Sequence, residues 1–332
     1  MDKKLFKGKV QTVLGLIDSD KLGFTITHEH ILSDARGLLP GILANSKVGR
    51  DLNKTDVESS LREVILYKDA GGGAIVDVTP LPNPGRNPQG LARIAKESGV
   101  NLVMGISYYY ERSYTPDMEM DYKKVKDIAR QYIDEITNGV GDTGIKPGVI
   151  GEAGCSWPLT PNERKCLQAA ALAQQETGLP ISIHPGFNVN APMEIVDILT
   201  AAGVKPDRII LGHMECSCPP KAGDMRLRLA DRGCYLQFDS FGAPRRSFPL
   251  WMKIPSDEGR VDQIAELVNH GLQNQILVSH DLLTVKLMAV NGGPGIVRIP
   301  KVIVPLMKKK GLSDEQIQAI TVDNPARAFS IT

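Results

Sequence analysis

The chain is predicted to fold as a parallel (β/α)8 TIM barrel, and three observations lead there. Eight short β-rich apolar runs recur along the 332 residues, and each is followed by a loop and a helical pattern. No glycine-rich nucleotide loop follows an early run, so the open doubly wound sheet, the nearest alternative, lacks its usual occupant. The polar residues that close these runs are largely histidine and carboxylate, and barrels of this kind collect their chemistry at the C-terminal ends of the strands.

Taken in order, residues 8 to 22 alternate apolar and polar side chains and turn at Asp18-Ser19-Asp20, which predicts a short N-terminal β-hairpin over one end of the fold. Thr25 to Ile31 is the first barrel strand. Gly37 to Asn53, with Pro40 and several glycines, reads as a mobile connection. A helix follows from Thr55, whose hydroxyl caps it with Glu58 three residues on, to Asp69, and Gly71-Gly72-Gly73 ends it. Strands two to eight are Ala74–Thr79, Leu102–Ser107, Gly148–Gly154, Ile181–His184, Ile209–His213, Tyr235–Asp239 and Ile276–Asp281. Helical patterns between them include Pro161–Thr177, Ala191–Ala202, Gly223–Arg232 and Val261–His270. Ser313 to Thr332 reads as a closing helix broken at Asn324-Pro325.

Composition sets bounds. Residues 1–332 can be one large barrel domain, and 42% hydrophobic with 23% charged residues is ordinary for a globular enzyme. A net charge of +1 points to neither a nucleic-acid nor a membrane partner. Met1 to Lys7 lacks the apolar core of a signal peptide, no apolar run is long enough to span a bilayer, and the expected location is the cytoplasm. Cys155, Cys166, Cys216, Cys218 and Cys234 make an odd count that fits reduced thiols.

In a strand, alternate side chains share a face, so His28 and His30 project together while Glu29 points away. Alone, such a pair is more often a satisfied polar feature than a metal claw. The other strand ends change that balance: Glu152 on the fourth, His184 on the fifth, His213 on the sixth and Asp281 on the eighth. Four of the six histidines therefore fall on one rim. Imidazole and carboxylate suit zinc, with manganese, cobalt and iron as alternatives. Six ligands are too many for one tetrahedral ion and fit two, with a shared carboxylate between them. Two ions roughly 3.5 to 4 Å apart lower the pKa of a shared water and polarise an electrophile, so the expected class is metal-assisted hydrolysis by a bridging hydroxide, with Asp281 as the proton carrier. His280, next to Asp281, should point away and pack; His270, near a helix end, is read as surface. Cys216 and Cys218 are read as free thiols, and Asp239 as an ordinary pocket or core residue.

Several strings carry a resemblance. Gly23 to His30, Asp142-Thr143-Gly144-Ile145, the isolated His184 and His213, Ile276 to Asp281 and Asn324-Pro325-Ala326-Arg327 resemble the phosphotriesterase family of the amidohydrolase superfamily, from Gly8 to the C-terminus. Gly8 to Gly15 and Gly151 to Thr160 resemble its phosphotriesterase-related branch. The resemblance implies that His28, His30 and Asp281 hold the buried ion and His184 and His213 the more exposed one. Phosphotriesterases bridge the two with a carbamylated lysine on strand four, where this sequence has Gly151. The related branch has glutamate there, which implies that Glu152 is the bridge; in a regular strand Glu152 would face the other way, so the backbone must adjust locally.

The branch implies hydrolysis of an amide or ester carbonyl, most of all in an N-acyl amino acid or N-acetyltaurine-type substrate. The alternatives are a lactonase or phosphotriesterase using the same site, and a catalytically weak small-molecule-binding protein on this scaffold. A sulfonate or carboxylate on the substrate calls for a cation or donors at the rim. Arg86, Arg245 and Arg246 are the candidates, with Tyr109 in the pocket wall. The family further suggests a homodimer.

Overall fold

The computed structural model of the chain describes residues 6–39, 41–217, 225–243 and 254–332. Strands β1 (Lys9–Thr12) and β2 (Gly15–Asp18) pair antiparallel as the N-terminal hairpin. The barrel begins at β3 (Thr25–Glu29). After it β4 (Ser33–Asp34) and β5 (Asn53–Lys54) pair with each other outside the main sheet. The remaining barrel strands are β6 (Ala74–Asp77), β7 (Asn101–Ile106), β8 (Val149–Gly154), β9 (Ile181–His184), β10 (Ile209–Leu211), β11 (Tyr235–Phe238) and β12 (Ile276–Val278). They form one parallel sheet in the order β12-β11-β10-β9-β8-β7-β6-β3 with helices around it, a nearly closed (β/α)8 barrel.

Alternation along the strands separates two cores. Ile75, Leu102, Met104, Ile150, Ile209 and Leu211 pack outward against helix residues such as Leu61, Val64, Leu91 and Leu167. Val76, Val103, Val149, Ile210 and Leu277 fill the barrel, and Val10 of the hairpin, Leu22 and Phe329 join them at its N-terminal end. The hairpin therefore plugs the end of the barrel remote from the strand-end histidines.

Side chains stitch the seam between the first and last barrel strands. Thr27 donates to the Val278 carbonyl at 3.2 Å, and Ser279 Oγ accepts from His28 N at 2.9 Å and lies 2.7 Å from the His28 carbonyl. Glu29, fully buried and pointing out of the barrel as expected, gathers the rest. Its carboxylate accepts from Ser279 Oγ (2.9 Å), His280 N (3.0 Å), the His280 ring (Nδ1, 2.8 Å) and Leu282 N (3.1 Å).

Some elements differ from the sequence expectation. The helix expected from Thr55 runs Val57–Asp69 and is capped by Asp56, whose carboxylate takes both Glu58 N and Ser59 Oγ, while Thr55 turns to Asn53. The connection expected to be mobile from Gly37 to Asn53 carries short helices at Gly41–Ala44 and Lys47–Asp51, and Ala35, Leu39 and Leu52 form a small core of their own. The helix expected from Gly223 is described from Met225, to Asp231, and the one expected from Val261 starts earlier, at Asp257 behind a Ser256 cap. At the C-terminus the backbone stays helical from Asp314 to Phe329, and in place of the expected break at Asn324-Pro325 a wider π-type turn, Ala319–Asp323, immediately precedes Asn324-Pro325 and accommodates the missing N–H. Among the described residues no helix is long and apolar enough to cross a membrane.

The seam generates a stability prediction. Burial raises the Glu29 carboxyl, but the His280 imidazole and the donated hydrogen bonds outweigh this and hold it below its ordinary 4.5. Glu29→Gln should lower the unfolding free energy by about 3 kcal/mol near neutral pH, read from the urea midpoint at unchanged slope. Because the folded pKa is depressed, the contribution is complete above the unfolded value and is lost as pH falls through the folded one, so variant and wild type should converge on acidification.

Candidate metal centre

Two irregularities at the barrel mouth decide which side chains face inward. Along β3, Ile26 pairs with Ile75 and Glu29 with Asp77, so three steps on one strand match two on its neighbour. Along β8, Ile150 pairs with Ile181 and Ala153 with Ile183, the same one-residue excess. Ile150 and Ala153 both pack into the outer core, so the bulge restores inward orientation at the residue before Ala153, which is Glu152. This is the local adjustment that the sequence required of Glu152. His213 and Asp281 lie just beyond β10 and β12, not within them, and both have left-handed backbones, with φ of 55° and 50°. Non-glycine residues seldom hold that conformation, which here turns both side chains over the barrel mouth.

The six residues come together around Glu152. Its Oε1 lies 3.2 Å from His30 Nε2, and its Oε2 lies 3.1 Å from His184 Nδ1, 3.5 Å from His28 Nε2 and 3.8 Å from His213 Nε2. Asp281 Oδ1 is 3.2 Å from His30 Nε2 and 4.0 Å from His28 Nε2. Two ligand groups can be drawn from this set, His28 with His30 and Asp281, and Glu152 with His184 and His213. All are buried except Asp281, whose side chain is 29% exposed.

The electrostatics favour cations here. Burial pulls the His30 imidazole down, but hydrogen bonds to Asp281 and Glu152 outweigh that and push it up to about 10. Burial raises the Glu152 carboxyl, and the surrounding imidazoles reverse this and hold it well below its ordinary range. A carboxylate set that retains a proton on a buried imidazole also retains a divalent ion in its place. His28 Nε2 fits such an ion directly, being buried, without a hydrogen-bond partner, and faced by both carboxylates.

Asp239, read from sequence as ordinary, is part of this arrangement. Its Oδ1 takes His213 Nδ1 at 2.7 Å, which leaves His213 Nε2 as the lone-pair nitrogen, and its Oδ2 stands 3.3 Å from His28 Nδ1. Gln237 Nε2 lies 2.9 Å from both His28 Nδ1 and Asp239 Oδ2. The available signal was position alone: Asp239 follows strand β11 as His213 and Asp281 follow theirs. Phe187, edge-on to His184 with ring centroids 5.3 Å apart, had no such signal.

The remaining candidates divide. The Tyr109 hydroxyl is 3.2 Å from His184 Nδ1, and burial keeps the phenol protonated. Arg86, expected to meet the substrate, is instead buried, its guanidinium 3.1 Å from the Glu135 carboxylate and donating to the Gly105 carbonyl at 2.9 Å. A rim arginine beside an acid on the neighbouring helix pairs with that acid. Arg245, Arg246 and Cys218 lie outside the described residues. Cys216 is a free thiol; His280 packs on Glu29, and His270 is exposed at a helix end.

A barrel whose C-terminal mouth carries four buried imidazoles around shared carboxylates belongs to the metal-dependent hydrolases. The sequence model of the Phosphotriesterase family matches residues 8–329, and the chain belongs to that family, whose members are binuclear metal enzymes. An N-acetyltaurine hydrolase of Dictyostelium discoideum is 35% identical, across 98% of this chain and 98% of its own. A resiniferatoxin-binding protein from Rhodobacter sphaeroides shares the fold with a TM-score of 0.89 at 31% identity, over 98% of this chain and 96% of its own. A lactonase from Listeria monocytogenes does so with a TM-score of 0.84 at 27% identity, over 98% of this chain and 99% of its own.

If Asp239 orients His213 and His28, Asp239→Asn should retain the fold but lose metal, with affinity weakened about 10- to 100-fold, as elemental analysis after dialysis would register.

Proposed function

We propose that this chain is a single-domain amidohydrolase that cleaves an N-acyl amino acid or N-acetyltaurine-type amide. The observation that carries this reading is the convergence of His28, His30, His184 and His213 on Glu152, with Asp281 at the open edge. The amide class comes from the N-acetyltaurine hydrolase relative. In this reading His28, His30 and Asp281 would hold one ion, His184 and His213 the other, with the Glu152 carboxylate available to both. Zinc suits the nitrogen-rich donor set best, and the cytoplasm suits the free thiols.

Two bound divalent ions supply Lewis acidity, bringing a water's pKa toward about 7 and polarising the scissile carbonyl. The protein supplies the rest. Asp281 is the most exposed carboxylate of the set; with Oδ1 turned to His30 and His28, its Oδ2 would accept the water's proton and pass it to the departing amine. Tyr109 offers a neutral phenolic donor beside His184, placed for an oxygen of the bound substrate. Tyr110 and Phe187 flank the His184 ring and form an apolar wall that limits water. The lactonase neighbour favours a second reading, ester or lactone opening by the same groups.

Turnover of N-acetyltaurine, N-acetyl amino acids, a lactone and an aryl phosphotriester, compared on one preparation, separates these readings; faster lactone than amide hydrolysis would reverse their order. Chelation should abolish activity and added zinc restore it. Asp281→Asn should lower kcat by about 100- to 10,000-fold, measured under metal-saturated conditions.

A further inference from the structure

Lys54 ends the short strand β5, far in sequence from most of the metal centre, and its side chain is buried at 4% exposure. Its ammonium donates to two backbone carbonyls, those of His30 at 2.6 Å and Leu282 at 2.5 Å. The His30 carbonyl belongs to the same peptide as Ile31 N–H, which Asp77 Oδ2 accepts at 2.6 Å. That peptide is therefore gripped at both ends by buried charged groups. Leu282, next to Asp281, is gripped likewise, its N–H by Glu29 and its carbonyl by Lys54. Glu29, Asp77, Glu63 and Asp281 are the acids whose charges bear on the ammonium. Among the described residues no hydrogen bond joins Lys54 to His184 or His213, which are held instead by Tyr109 and by Asp239.

We propose that Lys54 is a positioning residue of the metal site of His28, His30 and Asp281, a buried ammonium that joins the turn after His30 to the turn after Asp281 and sets the spacing of those two ligands. The physical reason lies in what else spans this seam. The Asp281 N–H donates to the His28 carbonyl at 3.1 Å and Glu29 holds the Leu282 N–H, so the seam itself stays closed, but Lys54 ties the His30 and Leu282 carbonyls together directly; without it each loses a charge-assisted hydrogen bond and the spacing of the two turns loosens. The pair His184 and His213 has its own supports and should not respond. Lys54 is thus a device for one ion of two. This inference rests on the assignment of His30 and Asp281 as ligands.

Titration of metal-stripped protein with zinc against a chromophoric chelator tests it. Wild type should bind two equivalents; Lys54→Met, which keeps the side-chain volume, should bind one as tightly as wild type and the second about 10- to 100-fold more weakly. Because a buried charge is removed, thermal melting of stripped and zinc-loaded forms supplies a second readout: the variant's deficit should be larger in the loaded form. Lys54→Gln, which keeps a neutral donor, should recover part of the second affinity. Two sites of wild-type affinity in Lys54→Met, equal weakening of both, or the same melting deficit with and without zinc would each overturn the proposal. Wild-type protein that binds two ions but hydrolyses no amide would overturn the proposed substrate and leave the role of Lys54 standing, whereas wild type that binds no metal overturns both.

Discussion

The constraint on which this structure depends is the burial of several carboxylates at one barrel mouth. Glu29, Glu152 and Asp239 are almost wholly removed from water, and Asp281 largely so. Such groups persist as anions only where hydrogen bonds and positive charge offset the loss of hydration. Each has its own solution. Glu29 collects four donors across the seam, Asp239 takes the backbone and ring of His213, and Glu152 is ringed by imidazoles. The imidazoles alone leave His28 Nε2 without a partner, so the set is balanced for a cation.

Closure of the barrel and assembly of the site draw on the same residues. The seam between β3 and β12 is held by Thr27, Ser279 and Glu29, and the same few residues carry His28, His30 and Asp281 on their other face or next in sequence. A mouth that opened at this seam would separate His28 and His30 from Asp281 while leaving His184 on β9 and His213 just beyond β10 in place. The asymmetry between the two groups follows from topology: one spans the chain's first and last barrel strands, the other lies on or just beyond the consecutive strands β8, β9 and β10.

Much of this was legible in sequence. The alternation of β-rich runs and helical patterns located every barrel strand, with ends shifted by a few residues, and helix Pro161–Thr177 coincides with its expectation because Thr160 and Glu163 form a capping box visible in the primary sequence. Position at strand ends was enough to collect His28, His30, Glu152, His184, His213 and Asp281. Asp239 was passed over, since a lone aspartate after a strand carries no mark until His213 is seen beside it. Arg86 was picked for a sequence position that suits a substrate cation, and the fold pairs its guanidinium with the Glu135 carboxylate of another helix.

What the sequence determined by itself is therefore local: strand and helix periods, caps, and the kinds of ligand atoms each strand delivers to the rim. The tertiary structure decided the facing of those atoms and their partners. One extra residue in β8 turns Glu152 inward, one in β3 keeps Glu29 outward while His28 and His30 face in, and left-handed backbones at His213 and Asp281 carry both over the mouth. Periodicity cannot contain such information, because a bulge and a regular strand differ in how the chain registers against a neighbour that lies far away in sequence.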